Sequence, residues 1–74
     1  MPRTVTILSP KAGRRLDSTL EEALKTLHSN GVLVDAAAHN IDGEGRPSVT
    51  ILLQYVDDEP RALRILANSG IDVK

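Results

Sequence analysis

Apolar residues recur along this chain with two different periods, and the switches between them outline its elements. Thr4 to Leu8 alternates threonine with Val5 and Ile7, the period of a half-buried strand, and Ser9-Pro10 ends the run. Ser18 with Glu21 three positions on supplies a capping-box pattern for a helix whose inward stripe is Leu20, Ala23, Leu24 and Leu27. Asn30-Gly31 closes that helix, because a glycine just past the last periodic residue adopts the left-handed conformation that ends a helix. Val32 to His39 reads as a second strand, and Asn40 to Pro47 as a hairpin loop dense in residues that tolerate positive φ. The return strand runs from Ser48 to about Val56, with Val49, Ile51, Leu53 and Tyr55 suited to the core. Asp57-Asp58-Glu59-Pro60 opens a second helix with acids against its positive end, and Ala62, Leu63 and Leu66 form its inward stripe. Gly70 stops it, and Ile71 to Lys74 makes a short last strand.

The pattern is a structural duplication. Ala23-Leu24-Lys25-Thr26-Leu27 with Gly31-Val32 returns 39 residues later as Ala62-Leu63-Arg64-Ile65-Leu66 with Gly70-Ile71, and Val5-Thr6-Ile7-Leu8 returns verbatim as Val49-Thr50-Ile51-Leu52 at an offset of 44. The difference of five places an insertion between the first strand and the first helix, and that connection is where function is expected. Two strand-helix-strand units joined by a hairpin give βαββαβ, which short connections and right-handed crossovers fold into a single domain over residues 1–74. The predicted class is α+β, a ferredoxin-like sandwich with a four-stranded antiparallel sheet and two helices on one face. Parity puts Val32 and Val34 on the core side of the second strand, so Leu33, Asp35, Ala37 and His39 point to the open face, joined there by Thr50, Leu52, Gln54 and Val56. Leu33, Asp35, Ala37, Leu52 and Val56 are the candidate interface residues.

Composition narrows the function more than it names it. At 74 residues the chain buries only about 60% of its unfolded surface, so a homodimer is a reasonable expectation. Nine basic against ten acidic residues leave a net charge of -1, which draws the chain neither to nucleic acid nor to an anionic membrane. Without cysteine there is no disulfide framework and no thiolate site, and Met1-Pro2-Arg3 leads straight into a strand, so the expected location is cytoplasmic. His28 and His39 have no histidine or cysteine at metal-ligand spacing, Asp57 to Glu59 read as helix-start acids, and no serine is paired with a base. No metal, cofactor or catalytic residue is therefore expected. RNA-recognition modules share the topology but stack bases on aromatics, and this chain has a single tyrosine, no phenylalanine and no tryptophan. The glycine-rich phosphate loop of acylphosphatase-like enzymes is also missing.

The run Leu20-x-x-Ala23-Leu24-x-x-Leu27-x-x-x-Gly31-Val32, the hairpin, and Val56-Asp57-Asp58 before Arg61-Ala62-Leu63 together resemble an ACT domain, the small regulatory module that binds amino acids at dimer interfaces. That resemblance implies a regulatory role beside an enzyme of amino-acid metabolism, with a ligand held by the loop after the first strand and, across the dimer, by the residue two places after the helix-closing glycine. Those positions are Ser9-Pro10-Lys11-Ala12-Gly13 and Leu33 here; the loop is basic where the family's is acidic, and Leu33 is apolar where some members carry a polar residue. Physical chemistry adds that a helix N-terminus exposes unpaired amides and partial positive charge, so Lys11, Gly13, Arg14 and Arg15 suit a carboxylate or phosphate. The alternative is that Arg14 and Arg15 simply pair with Asp17, Glu21 and Glu22. The expected ligand set is Ser9, Pro10, Lys11, Ala12, Gly13, Arg14, Arg15 and Leu33, for an amino acid or other small anion. The competing expectation is a ligand-free dimerisation or protein-interaction module that uses the open sheet face.

Overall fold

The computed structural model describes residues 3–9, 13, 15–41 and 43–74. Strand β1 (Thr4–Ser9) is followed by helix α1 (Leu16–Ser29), strands β2 (Val34–Ile41) and β3 (Pro47–Leu53), a 3-10 turn (Val56–Asp58), helix α2 (Glu59–Asn68) and strand β4 (Asp72–Val73). The sheet runs in the order β2-β3-β1-β4 with every neighbouring pair antiparallel. This α+β arrangement is compatible with a ferredoxin-like fold.

The alternation seen in the sequence becomes the core. Val5 and Ile7 of β1 and Val49, Ile51 and Leu53 of β3 are fully buried with Ala23 and Leu27 of α1 and Ala62 and Leu66 of α2. Leu20, Leu24, Leu63 and Ile65 pack around them half-buried, as do Val34 and Val73 at the sheet margins. Threonine 19, one residue before the expected stripe, is also fully buried.

The duplicated sequence builds the same helix ending twice. After α1 the Gly31 amide bonds the His28 carbonyl (3.0 Å) and the Val32 amide bonds the Leu27 carbonyl (2.9 Å); after α2 Gly70 bonds Ala67 (3.0 Å) and Ile71 bonds Leu66 (3.0 Å). Both glycines are left-handed, with φ of 77° and 80°. Each is a Schellman motif that satisfies the last carbonyls and drops a buried apolar residue, Val32 or Ile71, onto the core.

Several expectations are corrected. Helix α1 starts at Leu16 with Arg15 as its N-cap, so Ser18 lies inside the first turn and the capping box does not form. The hydroxyl and the amide of Thr19 both donate to the Arg15 carbonyl at 3.0 Å, anchoring the earlier start. The inserted residues therefore lengthen a helix more than a loop. Helix α1 has fourteen residues against ten in α2, while the two strand-to-helix connections, 10–15 and 54–58, differ by one residue. Strand β3 ends at Leu53 rather than Val56, since the chain turns away after Gln54; Tyr55, expected in the core, is 54% exposed. Strand β4 is shorter than expected, although Lys74 still exchanges both backbone bonds with Thr6.

Strand β2 departs most from expectation. It starts at Val34 and runs on to Ile41, and a bulge between Val34 and Ala36 shifts its register against β3. Beyond the bulge Ala37, His39 and Ile41 stand opposite Ile51, Val49 and Pro47, which puts them on the helix side, while Ala36, Ala38 and Asn40 take the open face. The open-face assignment of Ala37 and His39 is thus reversed. Every residue from Asp35 to Ile41 is exposed all the same, and no described strand lies beyond β2.

Candidate functional site

The expected ligand residues divide between the two ends of the sheet. At one end β1 finishes at Ser9, half-buried, whose hydroxyl donates to Oδ2 of Asp72 at 3.3 Å. Gly13 follows with φ of 75°, and a β-carbon added there would meet nothing within 4 Å. Arg15 is exposed and extended (φ -85°, ψ 157°) and gives α1 no side-chain cap. Because Thr19 makes the first intrahelical amide bond, the amides of residues 16–18 have no partner inside the helix. Pro10, Lys11, Ala12 and Arg14 lie outside the described residues.

Leu33, the last of the set, stands at the far end. Its carbonyl accepts from the Gln54 amide at 3.0 Å, and Val34 beside it is level with Leu53, at the start of β1 rather than its finish. Within one chain Leu33 therefore cannot join Ser9, Gly13 and Arg15. The side chain is 42% exposed.

The expected interface residues do not form one surface. Leu52 is half-buried on the open face, opposite Thr4 and Ala36. Asp35 sits in the bulge, Ala37 has crossed to the helix side, and Val56 lies in the 3-10 turn, off the sheet. The open face mixes Thr4, Thr6, Ser48 and Thr50 with Leu8, Ala36, Ala38 and Leu52, and a shallow concavity of about 770 Å³ there includes Thr4, Thr6, Leu8, Arg46, Glu59 and Lys74 in its lining.

Two contacts escaped the sequence reading. His39 Nε2 stands 3.7 Å from Oδ1 of Asp17 in the first turn of α1, a contact made possible by the bulge that turns His39 to the helix side. Arg61 of α2 donates to the Asn30 carbonyl at the end of α1 and lies 3.7 Å from Asp58, tying the two helices together. Glu21, one of the acids expected beside the arginines, meets Lys25 at 3.4 Å. Asp58 is the N-cap of α2 but makes no side-chain cap bond, so its part there is charge rather than capping.

Among the described residues no group of three or more His, Asp or Glu side chains is placed to hold a metal ion, and no helix is long and apolar enough to cross a membrane. No protein-family model matches the chain, and no curated protein matches it.

Proposed function

We propose that this chain is a cytoplasmic regulatory module of ACT-like type, with ferredoxin-like βαββαβ architecture, that takes an amino acid or other small anion where β1 passes into α1 and acts as a homodimer on a metabolic partner. The observation that carries the reading is the start of α1. A fourteen-residue helix begins there without a side-chain cap, beside a left-handed glycine with open space above it and a connection rich in basic residues. In this reading the amides of the first turn and the Arg15 guanidinium meet the anionic group, and Gly13 lets backbone approach it. Leu33 enters such a site only from a second copy, since in its own chain it lies at the opposite end of the sheet.

A thermal-shift panel of the twenty amino acids and common phosphorylated metabolites tests this directly. A ligand at a hundred times its dissociation constant adds about 2.7 kcal/mol, and a selective rise that vanishes in Arg14→Ala/Arg15→Ala is the expected result. A flat panel removes the ligand from the proposal.

A second reading, a ligand-free interaction module, draws on a different observation: the open face carries two leucines at opposite ends of the β1–β3 pair, Leu8 41% exposed and Leu52 half-buried. That reading loses its basis if Leu52→Glu stays folded and leaves the mass in solution unchanged.

A further inference from the structure

Of the three asparagines, only Asn30 precedes a glycine. In such a pair the main-chain amide attacks the side-chain carboxamide most readily, because glycine puts no side chain in the way of the approach. Asn40 is followed by the β-branched Ile41, and Asn68 by Ser69. Asn30 is exposed and is the C-cap of α1, inside the turn that Gly31 closes. That turn restrains both reacting groups. The Asn30 carboxamide donates to the Thr26 carbonyl at 2.8 Å, and the Gly31 amide donates to the His28 carbonyl at 3.0 Å. The peptide between them is also held from α2, where Arg61 donates to the Asn30 carbonyl. At ψ of 10° the Gly31 nitrogen is nearly eclipsed with Asn30's own nitrogen and turned away from the β-carbon. Ring closure therefore requires that peptide to rotate, which breaks the bond to His28 and draws the carbonyl off Arg61.

We infer that Asn30 is a site of spontaneous deamidation whose rate is set by local opening of this turn, with Arg61 as the latch. Once the turn opens, the Gly31 nitrogen gives its proton to base and bonds Cγ of Asn30. The carboxamide C–N bond breaks and its nitrogen leaves as ammonia, which leaves a five-membered succinimide. Water then opens the ring at one of its two carbonyl carbons. Breaking the new bond at Cγ gives aspartate; breaking the original peptide bond gives isoaspartate, in which the main chain reaches Gly31 through the β-carbon. Water is the only co-reactant, and the site is independent of the ligand proposed above.

Either product alters the join between α1 and β2. The donor to Thr26 is lost, and a negative charge arrives at the negative end of the helix. Isoaspartate also lengthens the chain by one atom between the last turn of α1 and Gly31. The bonds from Gly31 to His28 and from Val32 to Leu27 then lose their common register, and with it the anchor that sets the buried Val32 onto the core. The second half of the chain shows the same turn without the reaction. Ser69 is the C-cap of α2, its amide bonded to Ile65 and Leu66 as that of Asn30 is to Thr26 and Leu27, and its hydroxyl donates to the Ile65 carbonyl at 3.1 Å as the carboxamide does to Thr26. Asn30→Ser therefore keeps the turn and removes the leaving group.

The test is incubation of the whole chain in mildly alkaline buffer, at a temperature where circular dichroism shows every variant folded, beside a free peptide of residues 27–34. Peptide mapping by mass spectrometry, with aspartyl and isoaspartyl products separated, reads the conversion. Asn30 is expected to convert while Asn40 and Asn68 stay intact, and more slowly in the folded chain than in the free peptide. Arg61→Ala should speed the folded-chain reaction about two- to fivefold, the factor that matches loss of an exposed charged contact. Arg64→Ala, which removes an exposed arginine from the same helix, should leave the rate unchanged. Chains enriched in the product by ion exchange should melt below the parent, and Asn30→Ser should melt alike before and after incubation. Asn30 intact in the folded chain after the peptide has converted would overturn the site. Equal rates in the folded chain and the peptide, or in Arg61→Ala and the parent, would overturn the latch.

Discussion

Gly31→Ala separates two costs that the structure superimposes at one position. Gly31 has φ of 77°, and an alanine held there pays about 1–2 kcal/mol for the left-handed backbone. The new β-carbon also stands 3.3 Å from Nη2 of Arg61, the group that donates to the Asn30 carbonyl. Arg61 is about half exposed, so the loosened contact is scaled as a surface one, roughly 0.5–1 kcal/mol. Gly45→Ala is the control, since its φ is 81° and nothing lies within 4 Å of its added carbon. Urea unfolding followed by circular dichroism should therefore rank Gly31→Ala below Gly45→Ala by about 0.5–1 kcal/mol. At about 4–8 °C per kcal/mol in a domain this size, Gly31→Ala should melt on the order of 10 °C below the parent. In an Arg61→Ala background the excess should disappear, leaving only the backbone term. If Gly31→Ala and Gly45→Ala cost the same, or the double-mutant cycle shows no coupling above roughly 0.3–0.5 kcal/mol, then the bridge between α1 and α2 does not contribute as argued.

Leu66→Ala and Leu27→Ala each open a cavity at a fully buried site and should cost about 2–5 kcal/mol, a large part of the roughly 4–11 kcal/mol expected for 74 residues; urea midpoints with unchanged slopes are the readout. Thr19→Val keeps the shape but removes the hydroxyl that donates to Arg15, and a loss of about 1 kcal/mol with faster amide exchange in the first turn of α1 is expected. Asn40→Ala gives up an exposed 2.8 Å bond to the Thr50 hydroxyl and should cost under about 1 kcal/mol, measured by the same melts.

The duplicated halves were legible because both periods are anchored by glycines with one job. Gly31 and Gly70 ended the helices where expected, and the residues after them, Val32 and Ile71, went to the core. The start of α1 was misread for a physical reason: Ser18 and Glu21 have capping-box spacing, yet Leu16 and Thr19 find buried or half-buried places once the helix is extended back by most of a turn, and that burial outweighs a cap. The edge strand was misread because a bulge leaves no mark in Val34-Asp35-Ala36-Ala37. Three small alanines fit either face, so the chain carries no alternation from which a phase change could be noticed. Of the ligand set, the described residues Ser9, Gly13 and Arg15 lie near one end of the sheet, as their closeness in sequence requires; Leu33 was placed by analogy across a dimer, and only the strand register shows how far it lies from them in its own chain.

The bulge at Asp35 also bears on what the edge of the sheet can pair with. A straight edge from Val34 to Ile41, flat and poor in charge, would offer an extending template along which further strands of any chain could add. By twisting the strand and breaking its outward series, the extra residue confines the regular unpaired edge to Ala37–Ile41. Deleting Asp35 would leave the pairing of Val34 with Leu53 and of Ala36 with Leu52 in ordinary succession, with the fold intact. What it would remove is the stop at one end of the edge, and the shortened chain should aggregate more readily than the parent through its longer unpaired strand, measured by light scattering over time.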